Sequence, residues 1–249
     1  MSRRRKRKST NLVWVIVLAI ICVVAYFVFK NKYNFFNNNS IITTTTTTVL
    51  NLKPISFETK TIKQEDNTYT INVAYPYFNI DFLDQKIIQF INGQIESFIN
   101  DFGNLEAYNG NQNTLDIVFD TYLISNDWVS LRFVNAVYTG GAHGNQQIIT
   151  KNFNLQTKQE VQLKHLFKND TYLTFLSEKA INKFIADDIS QESWIKEGVS
   201  AKYENFENFT YSPDGKSMIF HFNPYQIAPY SEGILTLEVA KSELVDYLK

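Results

Sequence analysis

From Leu12 to Phe29 the chain reads LVWVIVLAIICVVAYFVF, 18 residues without a charge, a glycine or a proline. As a helix this run covers roughly 27 Å, close to the hydrocarbon core of a bilayer. A helix packed inside a soluble domain rarely stays apolar on every face over such a length, because one face normally meets water. The run is therefore read as a membrane span, with Trp14 and Tyr26 near its ends as interfacial aromatics. Arg3, Arg4, Arg5, Lys6, Arg7 and Lys8 precede it, whereas only Lys30 and Lys32 follow closely. The side richer in Lys and Arg stays cytoplasmic, which puts the N-terminus inside and the remainder outside. A cleaved secretory signal shares the basic start. Here, however, no Ala-x-Ala sequence closes the run, and Ile21 rather than a small residue precedes Cys22. An uncleaved single-pass anchor in the cell membrane is the expectation.

That span partitions the chain into a cytoplasmic basic tail (1–11), a transmembrane helix (12–29), a linker (30–54) and an extracytoplasmic domain (55–249). The linker NKYNFFNNNSIITTTTTTVLNLKP is rich in Asn and Thr and lacks a buried-face period. As a flexible tether it spans about 25–30 Å on average. Cys22, the only cysteine, lies inside the span, so the exported body forms no disulfide. The formal charge of −1 sums two unlike pieces. Six of the 24 basic residues sit in the first eight positions, which leaves 18 against 25 acids, or about −7. An acidic body is a poor counterion-displacing surface, so nucleic acid is not an expected partner.

Within the body, Ile55–Gln64 and Thr68–Tyr77 alternate apolar and polar residues around Glu65-Asp66-Asn67, the pattern of a hairpin. Leu83, Ile87, Ile91, Ile95, Phe98 and Phe102 then recur at steps of three and four, which predicts an amphipathic helix with Asp81 as N-cap. Strands are predicted at Thr114–Ser125, Trp128–Thr139 and Gln146–Leu155, with a turn at Gln156–Gln159. A second helix is predicted over Thr171–Asp187, with Leu173, Leu176, Ile181, Phe184 and Ile185 inward. Strands at Ser217–Phe222 and Ile234–Val239 follow, and Ser242–Leu248 reads as a terminal helical turn or two. The order ββαβββαββ lacks regular βαβ alternation and points to an α+β domain with mainly antiparallel sheet and two amphipathic helices. Subregions are expected at about 55–139 and 140–249.

No Gly-x-Ser-x-Gly sequence and no Gly-rich phosphate loop is present, and His143, His165 and His221 never fall at short ligand spacing. No catalytic residue, metal site or cofactor is assigned from sequence. Carboxylates for a glycosidase pair exist in any acidic domain, but their separation is a property of the fold. Two loops stand out. Tyr138-Thr139-Gly140-Gly141-Ala142-His143-Gly144 joins two strands with three glycines. Phe222–Gly233 carries Tyr225 and Tyr230, each following a proline. If these loops meet, Tyr138, His143, Tyr225 and Tyr230 form the candidate ligand-binding set. The competing reading is a hairpin peg at His143 and tyrosines that cover the core edge.

YTGGAHG, NFNLQTKQEVQLKHLF (Asn152–Phe167) and ENFTYSPDGKSMIFHFNPYQIAPYSEG (Glu207–Gly233) together resemble a family of bacterial exported domains. That family includes the exported part of the membrane-bound anti-sigma-V factor, which binds lysozyme, and the region preceding the catalytic domain of a peptidoglycan deacetylase. The resemblance implies a binding module for a cell-wall component such as peptidoglycan, or for a wall-cleaving enzyme such as lysozyme. Met1–Asn11 is too short to hold a sigma factor, and paired metal-binding histidines of a deacetylase domain are not seen. The resemblance therefore carries over the exported domain alone. A wall-glycan enzyme using dispersed carboxylates and a structural envelope protein remain the alternatives.

Overall fold

A computed structural model of the chain describes residues 55–106, 110–141 and 143–249. The basic tail, the expected span and the linker lie outside the described residues. Among the described residues no helix is long and apolar enough to cross a membrane.

The chain opens with a hairpin, β1 (Glu58–Glu65) against β2 (Tyr69–Tyr77). Helix α1 (Asp81–Phe102) follows, then β3 (Asn113–Ile124), β4 (Trp128–Tyr138), β5 (Asn145–Asn154) and the two-residue β6 (Gln159–Glu160). These six strands form one sheet in sequence order. Every pair is antiparallel except β2 with β3, which is parallel. The exception has a mechanical cause. With 22 residues α1 runs roughly 33 Å, enough to carry the chain back past β2 so that β3 enters in the same direction. Thus the sheet is mainly antiparallel, as expected, with one βαβ crossover inside it that the strand order ββαβββαββ did not announce. Asn113 fixes the return: its buried amide donates to the Phe102 and Leu105 carbonyls at 3.1 and 2.7 Å.

The apolar stripe of α1 meets one face of this sheet. Leu83, Ile87, Ile91, Ile95 and Phe98 pack on Ile71, Val73, Leu115, Ile117, Leu131 and Phe133. Each such side chain taken from water contributes about 1.5–3 kcal/mol. The predicted cap is corrected: Asp81 starts the helix and Ile80 holds the N-cap position, with no side-chain cap bond of its own. Asp84, one turn in and buried, instead accepts the Phe78 and Ile80 backbone N–H groups at 2.7 and 2.8 Å. A carboxylate in the first turn satisfies those orphan donors and complements the helix dipole.

A second core begins beyond β6. Helix α2 (Thr171–Ala186) and the short α3 (Glu192–Gly198) precede a three-stranded antiparallel sheet of β7 (Phe209–Tyr211), β8 (Ser217–Phe222) and β9 (Leu235–Ala240). Tyr172, Leu173, Leu176, Ala180 and Phe184 of α2 join a cluster with Phe209, Met218, Phe220, Phe222, Leu237 and Val239. Ile185 was expected inward but is exposed, and Ile181 is only partly buried. Tyr172 and Ala180 take the inward face, a rotation of the stripe by roughly one residue. The observed order is ββαββββααβββ. It adds β6, α3 and β7, each too short to show a hydrophobic period. The two cores part after β6 rather than at 139–140, because β5 pairs along almost all of β4.

Candidate functional site

Two loops meet at the end of β5. The first joins β4 to β5, and Gly140 and Gly141 take φ of 99° and 107°, where a side chain would be strained. Tyr138, the last residue of β4, donates its hydroxyl to the Gly141 carbonyl at 3.1 Å and so fastens that turn. The second loop, after β8, contains Tyr225 with φ 67°, left-handed backbone that a tyrosine rarely adopts.

The surroundings over-determine that strained residue. The Trp194 indole N–H of α3 donates to the Tyr225 carbonyl at 3.1 Å. The Gln226 amide donates to the Gly198 and Asn205 carbonyls at 2.9 and 3.1 Å and accepts the Asn223 N–H at 3.0 Å. A Cβ at Gly198 would lie 1.9 Å from the Gln226 carbonyl oxygen, so only glycine permits this approach. Ile227 and Ala228 are buried and anchor the loop in the second core. Strain held this firmly is characteristic of positions that present a side chain for recognition.

What is presented is an aromatic cluster. The His143 ring stacks on Tyr230, with centroids 4.4 Å apart and planes inclined by 17°. Tyr225 and Tyr230 lie 5.5 Å apart. His143 Nδ1 is 2.9 Å from the Gly144 carbonyl, and its Nε2 is 3.2 Å from the Tyr225 hydroxyl. A carbonyl only accepts, so Nδ1 carries a proton, while Nε2 and the Tyr225 hydroxyl share the second hydrogen bond. His143 and Tyr225 are exposed, Tyr225 at 49%, and Tyr230 is half-buried. Of the four sequence candidates, three therefore touch one another, while Tyr138 serves the loop that holds His143. Trp194, Gln226 and Gly198, which position Tyr225, escaped sequence reasoning. The segment ESWIKEG carries no period long enough to announce a helix, and nothing local says that it supports a loop 30 residues away.

The cluster offers ring faces and hydrogen-bonding edges, the equipment for gripping an amphipathic ring or a protein side chain. The other histidines lie elsewhere. His165 accepts the Gln162 N–H, and His221 is buried against the Thr210 hydroxyl at 2.8 Å. Among the described residues no group of three or more His, Cys, Asp and Glu side chains converges as a metal-binding set.

Comparison with known proteins agrees with this two-core architecture. Residues 62–146 match the family described as Deacetylase PdaC, and residues 164–242 match the family described as Protein of unknown function (DUF3298). The chain is 26% identical over 241 residues to the peptidoglycan-N-acetylmuramic acid deacetylase PdaC of Bacillus subtilis (strain 168). The match covers 94% of this chain but 50% of that enzyme, so the chain spans about half of its relative's length. Two crystal structures share the fold. A DUF3298 family protein from Pseudomonas aeruginosa PAO1 superposes with TM-score 0.57 at 14% identity, covering 79% of this chain and 95% of that one. A DUF3298 family member from Bacteroides fragilis NCTC 9343 gives 0.53 at 18% identity, covering 79% and 96%. The chain is thus similar to the PdaC deacetylase family over residues 62–146 and to the DUF3298 family over residues 164–242.

Proposed function

We propose that the chain is a membrane-anchored, extracytoplasmic binding module that recognises a cell-wall component or a wall-cleaving enzyme of the lysozyme kind. The observation that carries this reading is the convergence of His143, Tyr225 and Tyr230 on a strained loop that the fold supports from below. Two further points favour it. The relative that spans most of this chain is named for its action on peptidoglycan. The run at Leu12–Phe29, with its basic flank, supplies an anchor that leaves the body outside.

The experiment pairs binding with melting on the full chain. Tyr225→Gly is the informative variant, because glycine accepts φ 67° without the steric penalty that tyrosine carries there. It is expected to hold or raise Tm while weakening binding to peptidoglycan sacculi or to lysozyme by about thirtyfold, the usual cost of an aromatic anchor of ~2 kcal/mol. Unchanged binding by folded Tyr225→Gly and Tyr230→Ala would remove the site. Peptidoglycan turnover without stable binding would favour a wall-acting enzyme instead. Protease added to intact cells with the wall opened is expected to digest the body and spare Met1–Asn11. A freely soluble body in the medium would overturn the anchor.

A further inference from the structure

Beyond the aromatic cluster, β5 continues into an open cleft of about 300 Å³ between its outer edge and the segment that leads into β7. The Ile148 and Thr150 N–H groups point away from β4, since they donate to the Asn223 and Asn208 side chains at 2.6 and 3.0 Å. On an antiparallel strand the carbonyl of a residue faces the same way as its N–H, so the Ile148 and Thr150 carbonyls face this cleft. Glu160, Glu207 and the half-buried Tyr203 line it as well. The one lysine among the lining residues, Lys151, is tied to Glu160 at 2.7 Å, both side chains being largely covered. Glu207 takes part in none of the ion pairs among the described residues. The cleft is therefore rich in acceptors: its one lining lysine is neutralised, and the nearby Lys164 ammonium stands over the Tyr203 ring, 5.9 Å from the centroid, rather than on Glu207.

We propose that this cleft is a subsite for a primary ammonium group carried on a wall polymer, held by the Glu207 carboxylate and the strand-edge carbonyls. An ammonium brings three donors and a positive charge, which is what such a lining leaves unmet. A neutral acetamido group would bring one donor and no charge. Burial, and then the charge of Glu204, pushes the Glu207 carboxyl upward, and an arriving cation relieves that effect. The same chemistry has two wall sources: the free amine of a deacetylated amino sugar, and the side-chain amine of a diamino acid in a stem peptide. The proposal rests on the wall-binding reading for the origin of its ligand, but not on the aromatic cluster for its contacts.

The test is a titration of the isotopically labelled full chain in mild detergent, followed through the backbone amides of residues 147–151. The probes are glucosamine, Nα-acetyl-lysine amide and, as neutral control, N-acetylglucosamine. Glucosamine or the lysine amide is expected to shift these amides, N-acetylglucosamine is not, and Glu207→Gln is expected to weaken the response about tenfold or more. Whichever amine binds more tightly identifies the source. A response to N-acetylglucosamine equal to that of the tighter-binding amine, or no response to either amine, would overturn the subsite, as would a folded Glu207→Gln protein with undiminished affinity. Tyr225→Gly separates the two readings. If the cleft fails while this variant still weakens wall binding, only the ammonium subsite falls; if the cleft responds in this variant too, the subsite stands whatever becomes of the cluster.

Discussion

His221 shows how one side chain sets a pH range for the whole body. Its ring is 2% exposed, its Nε2 meets the Thr210 hydroxyl, and Tyr122 packs against it edge-on at 5.1 Å. Its Nδ1 has no hydrogen-bond partner among the described residues. Burial, reinforced by the positive charge of Arg132, pushes its pKa down to about 3, whereas an unfolded chain protonates histidine near 6.5. Between those values the unfolded state binds the extra proton. The contribution is thus fully present above pH 6.5 and is lost as pH falls toward 3, by about 1.4 kcal/mol per unit. Urea midpoints are expected to fall between pH 7 and pH 5 in the native protein and to flatten in His221→Gln. An equal slope in that variant would show that other groups govern acid sensitivity. The site residues divide in the same way by what local chemistry reveals. Gly140, Gly141, Tyr225 and Tyr230 are legible because glycine and proline punctuate their loops. The supports Trp194 and Gln226 are ordinary residues until the fold brings α3 beneath Tyr225.

At the scale of elements, α1 separates composition from position. Asp81 and Asp84 both lie in its first turn, yet only Asp84 is buried and accepts backbone N–H groups. Asp84→Ala is expected to cost about 1–2 kcal/mol in chemical unfolding, since it strands two amide donors near the core, while Asp81→Ala stays close to neutral. Equal losses in the two variants would reinstate Asp81 as the cap. Sequence periodicity located α1 and α2 almost to the residue because their stripes run for four turns or more. The same periodicity is silent on strand direction: β2 and β3 alternate alike whether parallel or antiparallel, so the crossover is legible only from the length of α1. Strand β7 escaped because three residues, all buried, give no alternation to read.

For the whole molecule, the two edges of the larger sheet are protected by opposite means. Strand β1 is exposed along nearly its whole length and carries Glu58, Lys60, Lys63 and Glu65, charges that discourage another chain from adding to it. The β5 edge is covered by the second core through polar contacts. Asn223 and Asn208 accept the Ile148 and Thr150 N–H groups, Asn152 donates to the Phe209 carbonyl at 2.8 Å, and Ser130 donates to Asn152 and accepts the Tyr211 N–H at 3.0 Å. Ser130 and Asn152 are buried, so each of these bonds is expensive to leave unmade. The sheets are therefore held in one register by side-chain amides, and the aromatic cluster inherits its geometry from that register, since His143 belongs to one sheet's loop and Tyr225 to the other's. Asn208→Ala is expected to speed hydrogen exchange at the Thr150 amide while the amides paired between β4 and β5 keep their protection. Asn152→Ala, which strands groups on both sides, is expected to cost about 1–3 kcal/mol and to split a single unfolding transition into two. Unchanged exchange at Thr150, together with a single transition in Asn152→Ala, would mean that apolar contact alone couples the two cores.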